Sequence, residues 1–138
     1  MHRLVVDTNV IISSFLSAGH PRNIIRELII PTKAILLISI EVKTEYRQVI
    51  GYKKFEKYPL FQEESKITME NILSLAEQTA IKHQFDLLPD YDDNKFLDLA
   101  YAGKADFLIT GNTRHFPIKK FYNTTIISPQ KYWNTYWS

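Results

Sequence analysis

Carboxylates recur in this chain where buried stretches stop. Asp7 interrupts "LVVDTNVIIS" (4–13) between two apolar runs, and Glu45 follows "AILLIS" (34–39) by about one and a half helical turns, with Glu41 one turn earlier on the same face. Asp86, Asp90, Asp92, Asp93, Asp98 and Asp106 crowd into one stretch; from Phe107 to Ser138 no acid occurs, while Arg114, Lys119, Lys120 and Lys131 are basic. Converging carboxylates hold hard divalent cations, and a purely basic segment beside them suits a polyanion. Structural readings compete at each position. Asp7 or Thr8 can cap a helix by accepting N–H groups of its first turn. Asp92 and Asp93 favour a helix N-terminus. Glu45, close to Lys43 and Arg47, suits a solvated helix face.

For these acids to meet, the chain must carry them to one edge of a sheet. "RLVV" (3–6) reads as a short buried strand, and helical spacing starts at about Thr8 and ends before Gly19 and Pro21. Pro21 opens a second helix over 21–30. "AILLIS" is a second buried strand, and Ser39 caps the helix over 40–50. The stretch 52–61 is irregular or a short helix, and 63–80 has the spacing of a long amphipathic helix. A weaker strand is expected over 81–87, starting as early as Thr79. A loop at 89–93 leads into a helix over 94–103, then the strand "DFLIT" (106–110) and a last strand, "TTIIS" (124–128). Short, apolar, β-branched strands alternating with helices predict a three-layer α/β/α sandwich with a mainly parallel sheet. Ligands of such sheets bind outside the carboxyl ends of the strands. Asp7 belongs to that edge.

A length of 138 residues predicts one domain over 1–138, and 45 % hydrophobic residues supply its core without staples. The chain has no cysteine, which removes disulfides and Cys-ligated zinc. Its apolar runs are far shorter than a membrane span, so a soluble cytoplasmic protein is expected. Tyr132, Trp133, Tyr136 and Trp137, at near-helical spacing, suit packing on the core or across a dimer better than base stacking.

"VVDTNVIIS" (5–13), "EYRQVI" (45–50), "DYDDNKFLDLA" (90–100) and "DFLITGNTRHF" (106–116), in that order, resemble the successive motifs of the PIN-domain family. The resemblance is closest to its branch of toxin components of toxin–antitoxin pairs, relatives of VapC-type ribonucleases. It implies a sheet of about five strands in the order 3-2-1-4-5, which brings distant acids together. Asp7, Glu45 and Asp93 match the family's first three acids. Asn9 and Ser13 match polar positions lining the cleft, and Thr110 matches the threonine that closes the fourth strand. Many relatives carry a fourth acid at the position of Asn112 or of His115, and this chain has neither.

The implied activity is a metal-dependent endoribonuclease. Asp7, Glu45 and Asp93 would ligate Mg²⁺ or Mn²⁺, both of which prefer oxygen ligands and can activate a water for phosphodiester hydrolysis. Asp92 and Asp98 would be auxiliary acids, and Arg114, Lys119 and Lys120 would steer the RNA backbone. The family also implies a homodimer and a small antitoxin partner. The rival reading is a binding module that recognises RNA or an antitoxin without efficient cleavage, which Asn112 favours. An aspartyl phosphatase would want a second aspartate at the position of Asn9.

Overall fold

Residues 3–6 form the strand β1 (Arg3–Val6), whose last three residues are fully enclosed, and it occupies the centre of the sheet. The computed structural model describes residues 1–51, 59–112 and 114–137. After β1 come α1 (Thr8–Leu16), α2 (His20–Asn23) and a run of wider π-type turns over Ile24–Ile29, then β2 (Ile35–Ile38) and α3 (Ile40–Ile50). The chain continues through α4 (Pro59–Leu75), β3 (Glu77–Gln78), a 3₁₀ turn over Tyr91–Asp93, and α5 (Asn94–Ala102). It ends with β4 (Phe107–Ile109), β5 (Lys120–Phe121), β6 (Thr124–Ile127) and α6 (Pro129–Tyr136).

The sheet order is β3-β2-β1-β4-β6-β5. All pairs are parallel except β5 with β6. Ignoring β5, this is the expected order 3-2-1-4-5, and β5 adds a short sixth strand antiparallel to the edge. Crossovers between parallel strands are right-handed. The steps from β1 to β2 and from β2 to β3 run one way, so α1 to α4 share one face. The return to β4 reverses direction and places α5 on the other face, where it packs on β1, β2 and β4. The result is a three-layer α/β/α sandwich.

Two expectations shift. The third strand lies at Glu77–Gln78, not 81–87, and the helix before it stops at Leu75 rather than Ala80. The reason lies in where the backbone N–H groups go. Phe85 donates to Asp98 Oδ1 (2.7 Å), and Leu87 and Leu88 donate to Asn94 Oδ1 (2.9 and 3.2 Å), so side chains of α5 take the bonds a neighbouring strand would make. Of the stretch 52–61, expected as irregular or a short helix, 52–58 lies outside the described residues and 59–61 opens α4. Among the described residues no helix is long and apolar enough to cross a membrane.

Of the C-terminal aromatics, Tyr132, Trp133 and Trp137 pack on the core, while Tyr136 stays 46 % exposed. Tyr132 is fully buried; its hydroxyl lies 2.8 Å from His2 Nδ1 and accepts the Trp137 indole N–H at 3.0 Å. Burial pushes that hydroxyl up to about 12.

Candidate active site

Asp7 follows the last residue of β1 and is 4 % exposed. Its N–H donates to the Ile109 carbonyl (2.9 Å), continuing the pairing of β1 with β4. One carboxylate oxygen caps α1 by accepting the Asn9 N–H at 3.4 Å; the other accepts the Thr110 hydroxyl at 2.8 Å. The capping reading is therefore correct for Oδ1 and leaves Oδ2 to a neighbouring strand. Beneath, the buried Tyr46 hydroxyl donates to the Val6 carbonyl, which locks α3 onto the end of β1. Burial pushes the Asp7 carboxyl up, opposed by these two hydrogen bonds and aided by the charge of Glu45.

Glu45 is not on a solvated face. Its Oε2 accepts the Thr8 hydroxyl and its Oε1 lies 2.7 Å from Lys95 Nζ, with both side chains of the ion pair about three-quarters enclosed. Thr8, expected only as an alternative cap of α1, serves Glu45 instead, and Lys95 was not foreseen at all. The available signal was the position of Lys95 within "DDNKFLD", two residues after Asp93 in the first turn of α5.

Asp93 ends the 3₁₀ turn before α5, and its carboxylate caps nothing. Asp90 caps that turn instead, accepting the Asp92 N–H at 3.0 Å. The Asp93 Oδ2 atom is buried and accepts no hydrogen bond, although His115 Nδ1 lies 2.9 Å away. Burial first, then the charge of Asp7, push the Asp93 carboxyl up to about 6; His115 opposes this, and Asp90 and Glu45 add to it. Asp7, Glu45 and Asp93 thus feel one another's charge across the carboxyl edge of the sheet. Asp90, Asp93 and His115 each offer a ligand atom within 4.8 Å of the others.

The remaining residues separate. Asn9 and Ser13 are exposed on α1, and Thr110 is buried against Asp7. The Asn112 N–H donates to Thr110 Oγ1 (3.2 Å), leaving its half-buried side chain at the end of β4. Asp98 is spent on the Phe85 N–H; burial and the charge of Glu41 push its carboxyl up, against that bond. Asp92, Arg114, Lys119 and Lys120 are exposed.

A buried carboxylate oxygen that accepts no hydrogen bond is costly in an apolar setting. Here it sits among acids that repel one another, in a donor set of oxygens and one imidazole. That composition fits a hard divalent cation. In the metal-free protein the raised Asp93 carboxyl penalises the folded state as pH rises. Its ordinary value is 3.8 and its folded value about 6, so its contribution is full below about pH 4 and lost as pH passes 6. Chelated protein should lose about 1 kcal/mol over that window after allowance for solvent screening. Asp93→Asn should flatten this part of the profile. Urea melts from pH 4 to 7 in EDTA check it; an equal slope in the variant excludes Asp93 as the source.

Residues 3–114 match the PIN domain family. The chain is 31 % identical over 118 residues to the uncharacterised protein MJ1680 of Methanocaldococcus jannaschii, an alignment covering 80 % of this chain and 70 % of the relative. Its fold is similar to the crystal structure of VapBC2 from Rickettsia felis bound to a DNA fragment from its promoter, with a TM-score of 0.62 and 19 % identity over 91 % of this chain and 98 % of that one. The ordered motifs, the sheet order and the acids at its carboxyl edge agree with the match, and the chain belongs to the PIN-domain family.

Proposed function

We propose that this protein is a Mg²⁺- or Mn²⁺-dependent endoribonuclease and the toxin of a toxin–antitoxin pair, acting as a homodimer restrained by a small antitoxin protein. The observation that carries the reading is the buried, unbonded Oδ2 of Asp93 facing the charges of Asp7 and Glu45. The divalent ion, when bound, supplies water activation and neutralises charge on the phosphodiester. Asp7, Glu45 and Asp93 would hold it, beside Asp90 and His115, which offer ligand atoms within 4.8 Å of one on Asp93. Thr110 fixes the Asp7 carboxylate, and Thr8 with Lys95 fixes that of Glu45. Asn9 and Ser13 offer polar groups beside Asp7, and Asp92 adds negative charge near Asp93. Asp98 supports the site from behind by anchoring the loop at Phe85. The exposed cations Arg114, Lys119 and Lys120 steer the RNA backbone.

The test is cleavage of defined single-stranded and structured RNAs with and without EDTA, with Asp7→Asn as control. Loss of cleavage in both supports the enzyme. Tight RNA binding without cleavage supports the binding module, which two observations favour: Asn112 replaces an acid, and Lys95 already places an ammonium on Glu45.

Asn112 sets the expected metal requirement. An amide there removes one negative charge, so a second dication lacks a ligand and half-maximal cleavage should need roughly millimolar metal. Asn112→Asp should lower that midpoint several-fold and raise the number of bound ions in a Mn²⁺ titration. Equal midpoints and equal stoichiometry would place residue 112 outside the site.

A further inference from the structure

At the opposite edge of the sheet, where β4 begins, a depression of about 650 Å³ opens between α5, the segment after β3 and the turn joining β5 to β6. Lys82, His83, Tyr101, Lys104, Asp106 and Tyr122 line it. Tyr122 is 64 % exposed and Tyr101 37 %, their rings packed edge to face at 4.8 Å, with His83 against Tyr101 at 5.6 Å. Phe85 and Phe121 support these rings from beneath. The Lys82 and Lys104 side chains are exposed and make no hydrogen bond or ion pair among the described residues. Asp106 is the one acid of the lining, and its carboxylate already accepts the Arg3 N–H at 2.8 Å. An adjoining hollow shares Lys82 and Lys104; its acid, Glu77, is paired with Arg3.

The backbone adds an independent sign. Among the described residues, Thr32, Lys104 and Tyr122 are the non-glycine residues with positive φ, and two of them line this depression, at 51° and 53°. Glycine or asparagine would hold either turn with less strain. A lysine and a tyrosine held there at a backbone cost point to work done by the side chains.

We infer that this depression binds a short single-stranded RNA segment, with bases on Tyr122 and Tyr101 and phosphates on Lys82 and Lys104. Exposed rings interleaved with unpaired cations match the two parts of a single-stranded polynucleotide, a stacking face and a backbone charge. The inference rests on the reading of the chain as an RNA-acting protein, and it gives the substrate a holding point away from the acids.

The experiment is fluorescence anisotropy of a labelled eight-nucleotide RNA with the full chain in EDTA, where cleavage is absent and the acid edge repels RNA. Tyr122→Asn and Lys104→Asn both suit a left-handed backbone, so folding is preserved, which circular dichroism verifies. Tyr122→Asn should weaken binding roughly five- to a hundredfold, the range expected for losing one stacked base, with an unchanged salt slope. Lys104→Asn should weaken binding and reduce the slope of log K against log salt by about 0.7, one phosphate contact on a single strand. Wild-type affinity in both variants, or no binding by the wild type, overturns the inference. Displacement of the RNA by poly-L-glutamate at equal charge concentration also overturns it, in favour of an acidic peptide. Cleavage with metal is scored separately, so failure of the nuclease reading and failure of this site give different results.

Discussion

Asp7→Asn is expected to lower RNA cleavage by on the order of a thousandfold, about 4 kcal/mol of barrier, while leaving the protein folded. The amide oxygen can still accept the Asn9 N–H, and the amide NH2, standing where Oδ2 was, can donate to Thr110 Oγ1 once that hydroxyl turns away, so the junction of β1 and α1 keeps both contacts with one reversed. What disappears is the negative charge at the most enclosed acid of the site, whose burial already disfavours ionisation. Removing it should leave the chelated protein as stable as before or raise its stability by about 1 kcal/mol. Single-turnover cleavage and thermal melts in EDTA report the two effects. A variant cleaving within tenfold of the wild type would remove Asp7 from the machinery.

Lys95→Met should act in the opposite sense on metal and fold. Its ammonium neutralises Glu45 from 2.7 Å, and the pair is intermediate between an exposed and a buried one. Its loss should cost the chelated protein about 2 kcal/mol, because Glu45 is left against Asp7 and Asp93 with only the Thr8 hydroxyl. The same loss removes a positive charge that competes with a cation, so the protein should bind Mn²⁺ about tenfold more tightly, a gain of about 1.4 kcal/mol. Saturating metal should then recover most of the lost stability. Calorimetric titration with Mn²⁺ and melts with and without metal measure the exchange. Unchanged affinity would show that Lys95 and the ion do not share Glu45.

The elements that the sequence foretold are those that carry their own apolar pattern. "RLVV", "AILLIS", "DFLIT" and "TTIIS" are β-branched runs enclosed by helices, and their strands fall where that pattern ends. Glu77–Gln78 is a two-residue edge strand with both residues exposed, so it has no apolar signature. The stretch 81–87 has one and is still not a strand, because Asp98 and Asn94, distant in sequence, claim its N–H groups. The site divides in the same way. Asp7 was legible because a carboxylate broke a buried run. Glu45 and Asp93 became legible through family motifs, since helix position alone could not separate them from solvated or capping acids. Lys95 and Thr8 were not legible, because their roles arise only when α5 and α1 meet α3 at the edge.

The bond at Asn112 bears on how such a chain changes over generations. Thr110 Oγ1 receives the main-chain N–H of residue 112, and any amino acid except proline supplies that group. Asp7, by contrast, is enclosed between α1 and the central strands, where a side chain of another size or shape carries a folding penalty. Descendants are therefore free to gain or lose an acid at 112 without disturbing the turn, while position 7 accepts only a side chain of aspartate's shape. One codon separates an amide from an acid at 112, and drift between the two would leave no trace in the fold.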